Sequence, residues 1–274
     1  MKKIFILIAS LLIIAVSCKK DSQKDKVRID TEFGSIIIQL YDSTIVHKQN
    51  FIEMVEAGVY NDATFHRIIE NFMIQGGNIE NNKNFTDKQV IDSISNKTVP
   101  FEVYPTYIHK RGALAAARMP DEVNPTKASS ATQFYIVQGT KFTNNQLTDM
   151  ELQYERYTKQ NIFTALISEE GREYDLNIFN QAIKENNVEA INQLLIKYRD
   201  AIEVRYMKMK PFRLNQHQRN VYTSIGGAPH LDGEYTVFGE VISGMEVVDS
   251  IAKQAKDNAD QPLKEIKMKI KIIN

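Results

Sequence analysis

The densest chemistry in the chain lies between Phe65 and Gly77. There the run Phe65-His66-Arg67-Ile68-Ile69-Glu70-Asn71-Phe72-Met73-Ile74-Gln75-Gly76-Gly77 sets a guanidinium and an amide among aliphatic and aromatic side chains. A cation in such company needs a reason, because charge is costly to bury without partners. On its own the run is satisfied by an arginine whose stem is packed and whose head reaches solvent. Other chemistries find less support. The histidines 47, 66, 109, 217 and 230 show no metal-ligand spacing, so no metal is expected. Ser129-Ser130 lacks the strand-to-helix setting of a nucleophile elbow, and no glycine-rich phosphate loop is present, so no cofactor is expected either. Lys+Arg and Asp+Glu each number 34, and this balance gives no support to a nucleic-acid partner.

The elements that must position these residues are mostly short strands. Val27–Thr31 alternates apolar and polar, Gly34 supplies turn chemistry, and Ile36–Tyr41 is β-branched and apolar, which predicts a hairpin. Phe51, Met54 and Val55 fall at helical spacing before Gly58. Residues 78–98 read as a long loop. Gly112–Ala117 is a run of small residues, and Thr132–Val137, Tyr235–Gly239 and Lys267–Ile273 read as strands. The predicted class is mainly β, a closed antiparallel barrel. The stretch from about 144 to 224 differs in kind. Leu147, Met150, Tyr154 and Tyr157 lie at helical spacing, as do Val188, Ile191, Leu195, Tyr198 and Ile202, with Gly171 between the two regions and Asn215 placed to cap a third helix. These apolar stripes are expected to be core packing.

Taken together, the blocks resemble the cyclophilin family. The Phe65–Gly77 run is similar to its F-H-R-I-I…F-M-x-Q-G-G signature. Gly112–Ala117, Thr132–Ile136, His230–Gly239 and Gly244–Val248 are similar to its G-x-L-x-M-A, S-Q-F-F-I, W-L-D-G-x-x-x-V-F-G and following helical segments, in the same order. The resemblance covers residues 27–138 and 227–274. It implies a closed eight-stranded antiparallel barrel capped by two helices, interrupted by an inserted α-helical subdomain over 139–226.

The resemblance also implies an activity, peptidyl-prolyl cis/trans isomerisation. Rotation about a peptide bond faces about 18–20 kcal/mol from lost amide resonance. A catalyst must favour the twisted amide over both planar forms. In the twisted state the prolyl nitrogen regains a lone pair, which a fixed guanidinium can hydrogen-bond. By resemblance Arg67 is that catalytic group. Phe72, Met73, Tyr135 and Leu231 line the proline pocket, Gln75 orients the arginine, Gln133 adds a polar contact, and Ala117 and Arg118 supply backbone for an extended peptide. His230 and Tyr235 complete the substrate-binding set, standing where well-known members have Trp and His. Arg118 and Met119 replace smaller residues and are expected to narrow the groove. The clients implied are proline-containing polypeptides. The alternative is a peptide-binding chaperone or partner-docking module with little turnover; the presence of Arg67, Phe72, Met73 and Gln75 together favours activity. The insertion adds roughly 80 residues beside the pocket, a length surface loops tolerate, and is a candidate arm for clients or for a protein partner.

At the N-terminus, Lys2 and Lys3 precede an apolar run from Ile4 to Val16 that is too short to span a bilayer comfortably. Ala15-Val16-Ser17-Cys18 resembles a bacterial lipobox, which implies a signal peptide over 1–17, lipidation at Cys18 and a charged tether over 18–26. Cys18 is the single cysteine, so no internal disulfide is possible. The expected location is a bacterial cell envelope, with the protein exported and held to a membrane by its lipid.

Overall fold

The structure is a computed structural model and describes residues 26–79, 82, 87–209 and 211–273. The expected leader, Cys18 and all of the tether but Lys26 lie outside the described residues; Lys26 itself opens the first strand. In chain order the elements are β1 (Lys26–Thr31), β2 (Gly34–Leu40), α1 (Ile45–Glu56), β3 (Thr64–Ile69), β4 (Met73–Asn78), α2 (Lys88–Ser95), β5 (Thr98–Val99), β6 (Ala113–Ala116), β7 (Ser129–Ser130) and β8 (Phe134–Val137). Then follow α3 (Asn144–Ile167), α4 (Glu173–Lys184), α5 (Val188–Lys208), α6 (Gln216–Ser224), a 3-10 turn at Pro229–Leu231, β9 (Val237–Ser243), α7 (Met245–Ala252) and β10 (Lys269–Ile273).

Eight strands form one antiparallel sheet in the order β10-β1-β2-β9-β6-β8-β4-β3. The expectation of a closed barrel is corrected here: the sheet is curled but open. β10 spends its length pairing with β1. Its approach to the opposite edge is limited to the bridge between Thr64 and Lys267, flanked by Phe65 N–H to Ile266 O at 2.9 Å and Met268 N–H to Ala63 O at 2.8 Å. Alternation along the strands turns Ile29, Ile36, Ile38, Ile74, Phe134 and Ile136 into the curl, where Phe51, Met54 and Val55 of α1 and Val248 and Ile251 of α7 meet them.

Two further readings are revised. The stretch expected to be loop contains α2, capped by Asp87, whose side chain accepts from Gln89 N–H; its short apolar stripe, Ile91 and Ile94, packs partly buried against the main core, and two turns within a polar stretch were too short to read as a helix. Between β8 and β9, α3, α4 and α5 share a core of their own built from Ile162, Phe163, Leu166, Leu194, Tyr198, Ile202 and Tyr206. The expected stripe Val188, Ile191, Leu195, Tyr198 and Ile202 is therefore only partly used: Tyr198 and Ile202 are buried, whereas Val188 and Leu195 are exposed, as are Tyr154 and Tyr157 on α3.

The helical segment leaves and rejoins the sheet at one point. Gly227 N–H donates to Thr140 O at 3.0 Å, and Ala228 N–H to His109 O at 2.8 Å. A Cβ on Gly227 would stand 2.2 Å from His109 O, so only glycine fits this crossing. Beside it Ile108, Leu147, Leu214 and Tyr222 form a small core that joins helices to sheet.

Candidate active site

The run from Phe65 to Gly77 folds into two paired strands, and their register aims the chemistry outward. Phe65 pairs with Gly76 and Arg67 with Gln75, which leaves His66 as an extra residue on β3. This bulge lets Phe65 and Ile68 both enter the core while Arg67 turns to the outer face. Gln75 pairs onward with Tyr135 on β8, and Tyr135 with Ala115 on β6. Arg67, Gln75 and Tyr135 thus stand in one row across three strands, the most rigid way to fix their spacing.

Above this row is a pocket of about 190 Å³ lined by Arg67, Phe72, Met73, Gln75, Ala117, Arg118, Tyr135, Leu231 and Tyr235. Phe72 is held at its lip by the β3–β4 turn, where Gln138 N–H and Gly139 N–H both donate to Phe72 O. Arg67 keeps 44% of its side chain exposed, and its Nε lies 3.6 Å from Asp260 Oδ2. Lys256 first, and Arg67 after it, hold the Asp260 carboxyl below the usual carboxylate range. Gln75 Nε2 donates to Gln133 Oε1 at 3.2 Å. The guanidinium of Arg118 lies 4.6 Å from the Tyr235 ring centre and donates through Nε to Glu234 O at 2.9 Å, which closes one end of the pocket.

Behind the pocket wall runs a buried polar chain. The Tyr135 hydroxyl is 3.0 Å from His109 Nε2, and His109 Nδ1 is 3.0 Å from Asp232 Oδ1. A carboxylate only accepts, so Nδ1 carries a proton. Asp232 also accepts from His109 N–H at 2.8 Å, from Gln218 Nε2 at 3.0 Å and from the Tyr222 hydroxyl at 2.6 Å. Gln218 and Tyr222 belong to α6, so the carboxylate ties the helical segment to the pocket wall. Burial pushes the Tyr135 hydroxyl's pKa well up and keeps it protonated.

A family model described as cyclophilin type peptidyl-prolyl cis-trans isomerase/CLD matches residues 26–190 and 208–272. The chain belongs to the cyclophilin-type isomerase family. It is 35% identical over 151 residues to a peptidyl-prolyl cis-trans isomerase of Acinetobacter baylyi, covering 54% of this chain and 72% of that one. It is 26% identical over 253 residues to the peptidyl-prolyl cis-trans isomerase-like 2 of Rhizopus delemar, covering 92% of this chain but 29% of that much longer protein. The fold is also that of the Cryptosporidium parvum cyclophilin type peptidyl-prolyl cis-trans isomerase crystallised in the presence of the dipeptide Ala-Pro, with a TM-score of 0.50, 18% identity, and 91% of this chain and 99% of that chain covered.

Within this cyclophilin-type frame, nine of the eleven expected peptide-site residues line the one pocket. Gln133 stands behind Gln75, and His230 lies outside the pocket lining, its ring 5.4 Å from that of Phe72. Burial, then His109, lowers the His230 pKa, and this favours a neutral ring. Ala117 N–H donates to Gln133 O and its carbonyl accepts from Ser130 N–H, which leaves that carbonyl's second lone pair for a peptide. Gln75, expected to orient Arg67, faces it across the ladder with its amide on Gln133, while Asp260 is the ionic partner at the guanidinium. Sequence reasoning missed Asp260, His109 and the role of Asp232. The first two have no local signal, whereas Asp232 sits inside the His230–Gly239 block. Among the described residues no group of three His, Cys, Asp or Glu could hold a metal, and no helix is long and apolar enough to cross a membrane.

Proposed function

We propose that this chain accelerates rotation about X-Pro bonds in extended polypeptides, with Arg67 as the catalytic donor. The observation that carries the reading is a partly exposed guanidinium fixed in register beside a small pocket walled by Phe72, Met73, Tyr135 and Leu231. The pocket holds the proline ring still while the preceding carbonyl swings. As the amide twists, the prolyl nitrogen becomes a better acceptor, so the arginine's hydrogen bond strengthens at the top of the barrier. A charge-assisted bond worth about 1.5–3 kcal/mol that exists only there gives roughly a ten- to hundredfold acceleration. Exclusion of water by the pocket and restraint of the peptide add to it. No covalent step is required.

The direct test follows cis/trans exchange of a short Ala-Pro peptide by NMR with catalytic amounts of protein. Exchange faster than the uncatalysed tens to hundreds of seconds supports the reading, and an unchanged rate with folded protein removes it.

The clients belong, on this proposal, to the cell envelope. The support is the layout of residues 2–18, a basic start, an apolar run and a lipobox-like Ala15–Cys18. Metabolic labelling with a fatty-acid analogue checks it: the label is expected on the wild type and lost in Cys18→Ser.

A further inference from the structure

A second hollow, about 740 Å³, lies between the sheet and the helical segment, roughly four times the 190 Å³ of the proline pocket. One wall is the loop carrying Tyr104; the other is α3 with Tyr154 and the segment after α5 with Phe212. The two hollows share a partition. His230 and Glu234 face the larger one, and Leu231 and Tyr235 line the smaller. A chain emerging from the proline pocket across this strip enters the larger groove.

Three observations say what fits there. Aromatic rings stand open on both walls: Tyr104 is 40% and Tyr154 39% exposed, and the Tyr154 ring meets that of Phe212 in a tilted contact, centres 4.9 Å apart. The charges described on the lining are already matched. Arg213 pairs with Glu155, Glu234 with Lys127 and Arg118, and Asp232 accepts from His109, Gln218 and Tyr222. A charged ligand therefore finds no free counter-charge among them. Finally, Tyr206 lines the groove with a buried hydroxyl that has no hydrogen-bond partner. A buried donor of this kind is costly unless met.

We propose that this groove is a second polypeptide subsite, taking the extended, uncharged, aromatic- and proline-rich flank of the same client whose proline occupies the small pocket. Open aromatic rings on both walls and a lining without free charge suit an extended, uncharged backbone. The proposal rests on the isomerase reading for the identity of the neighbouring pocket.

The test uses two fluorescent peptides, a tetrapeptide containing Ala-Pro and the same core lengthened on both sides by apolar, aromatic and proline residues. Anisotropy titrations are run at low and high salt. The long peptide is expected to bind about tenfold or more tighter, with little salt dependence. Tyr104→Ser and Tyr154→Ser should each remove most of that gain while turnover of the tetrapeptide is kept. Thr158 of α3 also lines the groove; Thr158→Arg fills the groove instead of emptying it, and should do the same without truncating a packed ring. A long peptide that binds no tighter than the short one, or an advantage that survives all three substitutions, overturns the proposal. If the tetrapeptide is not turned over by wild type yet the long peptide binds in a Tyr154-dependent way, the isomerase reading falls and the groove stands.

Discussion

The hydroxyl of Tyr135, on the wall of the small pocket, meets Nε2 of the fully buried His109 at 3.0 Å. The pocket wall is therefore apolar toward the ligand and polar behind, and the polar side is anchored through Asp232 to α6.

Tyr135→Phe keeps the aromatic surface and strands the imidazole nitrogen behind it. A buried polar group left unpaired costs about 1–3 kcal/mol. The expected result is a lower midpoint in urea with an unchanged m-value, and turnover of a short Ala-Pro peptide reduced less than tenfold. A midpoint equal to wild type would show that the chain behind the wall carries no stability.

Asp232→Asn replaces an acceptor of four hydrogen bonds by an amide that presents donors to donors. Breaking such a buried charged hub is expected to cost about 3 kcal/mol. Tyr222→Phe, which removes a single bond, should cost about 1 kcal/mol. Hydrogen exchange locates the effect: in Asp232→Asn, amides of α6 and of residues 107–111 should lose protection before those of β1 and β2.

Acid should weaken the fold in two separate windows. Burial lowers the pKa of His47 against the opposing pull of Glu102, and burial also lowers those of His66 and His230. A histidine with a folded pKa below its unfolded value of about 6.5 binds protons more readily in the unfolded chain. Its stabilising contribution is complete above that value and is lost as pH falls through it toward the folded pKa. Asp249 is lowered by hydrogen bonds from the Arg111 guanidinium and the neutral Gln138 amide, and Asp260 by the cations Lys256 and then Arg67. Their contributions persist to about pH 4 and are lost below it. Urea midpoints should fall as pH drops below about 6.5, then again below about 4. A flat profile between pH 7 and 5 would contradict the histidine part.

Gly227→Ala places a methyl group against His109 O, at 2.2 Å in the present backbone. The root of the helical segment has to shift, at a cost of roughly 3 kcal/mol or more. Its signature should be loss of protection in α6 with the β1–β2 hairpin still protected.

How much of this was legible depended on whether the signal was local. Arg67, Phe72, Met73 and Gln75 lie in a strand–turn–strand unit, so a run of thirteen residues carries four of the nine pocket residues in order. Tyr135 and Leu231 arrive from separate blocks that the resemblance alone aligns. Asp260 could not be read, because its meeting with Arg67 depends on where the chain after α7 returns. The bulge at His66 was hidden too, since alternation through Phe65-His66-Arg67-Ile68 fits neither face until the pairing with Gly76 and Gln75 is known. On α5 the expected row of Val188, Ile191, Leu195, Tyr198 and Ile202 shares Tyr198 and Ile202 with the buried row Leu194, Tyr198, Ile202 and Tyr206, and only the packing of α3 and α4 decides that Leu194 and not Leu195 faces the core. Closure failed as an expectation because eight strands fix a sheet's width but not whether its last edge reaches its first.

On the proposed mechanism, Arg67 acts on the twisted amide and not on the planar peptide. This is tested most directly by measuring, for wild type, Arg67→Ala and Arg67→Lys, both the affinity for a short Ala-Pro peptide and its cis/trans exchange rate when bound. Exchange is expected to fall roughly ten- to a hundredfold or more in Arg67→Ala, less in Arg67→Lys, with affinity held within about threefold in both. Exchange at the wild-type rate in Arg67→Ala, or a loss confined to affinity, would contradict it.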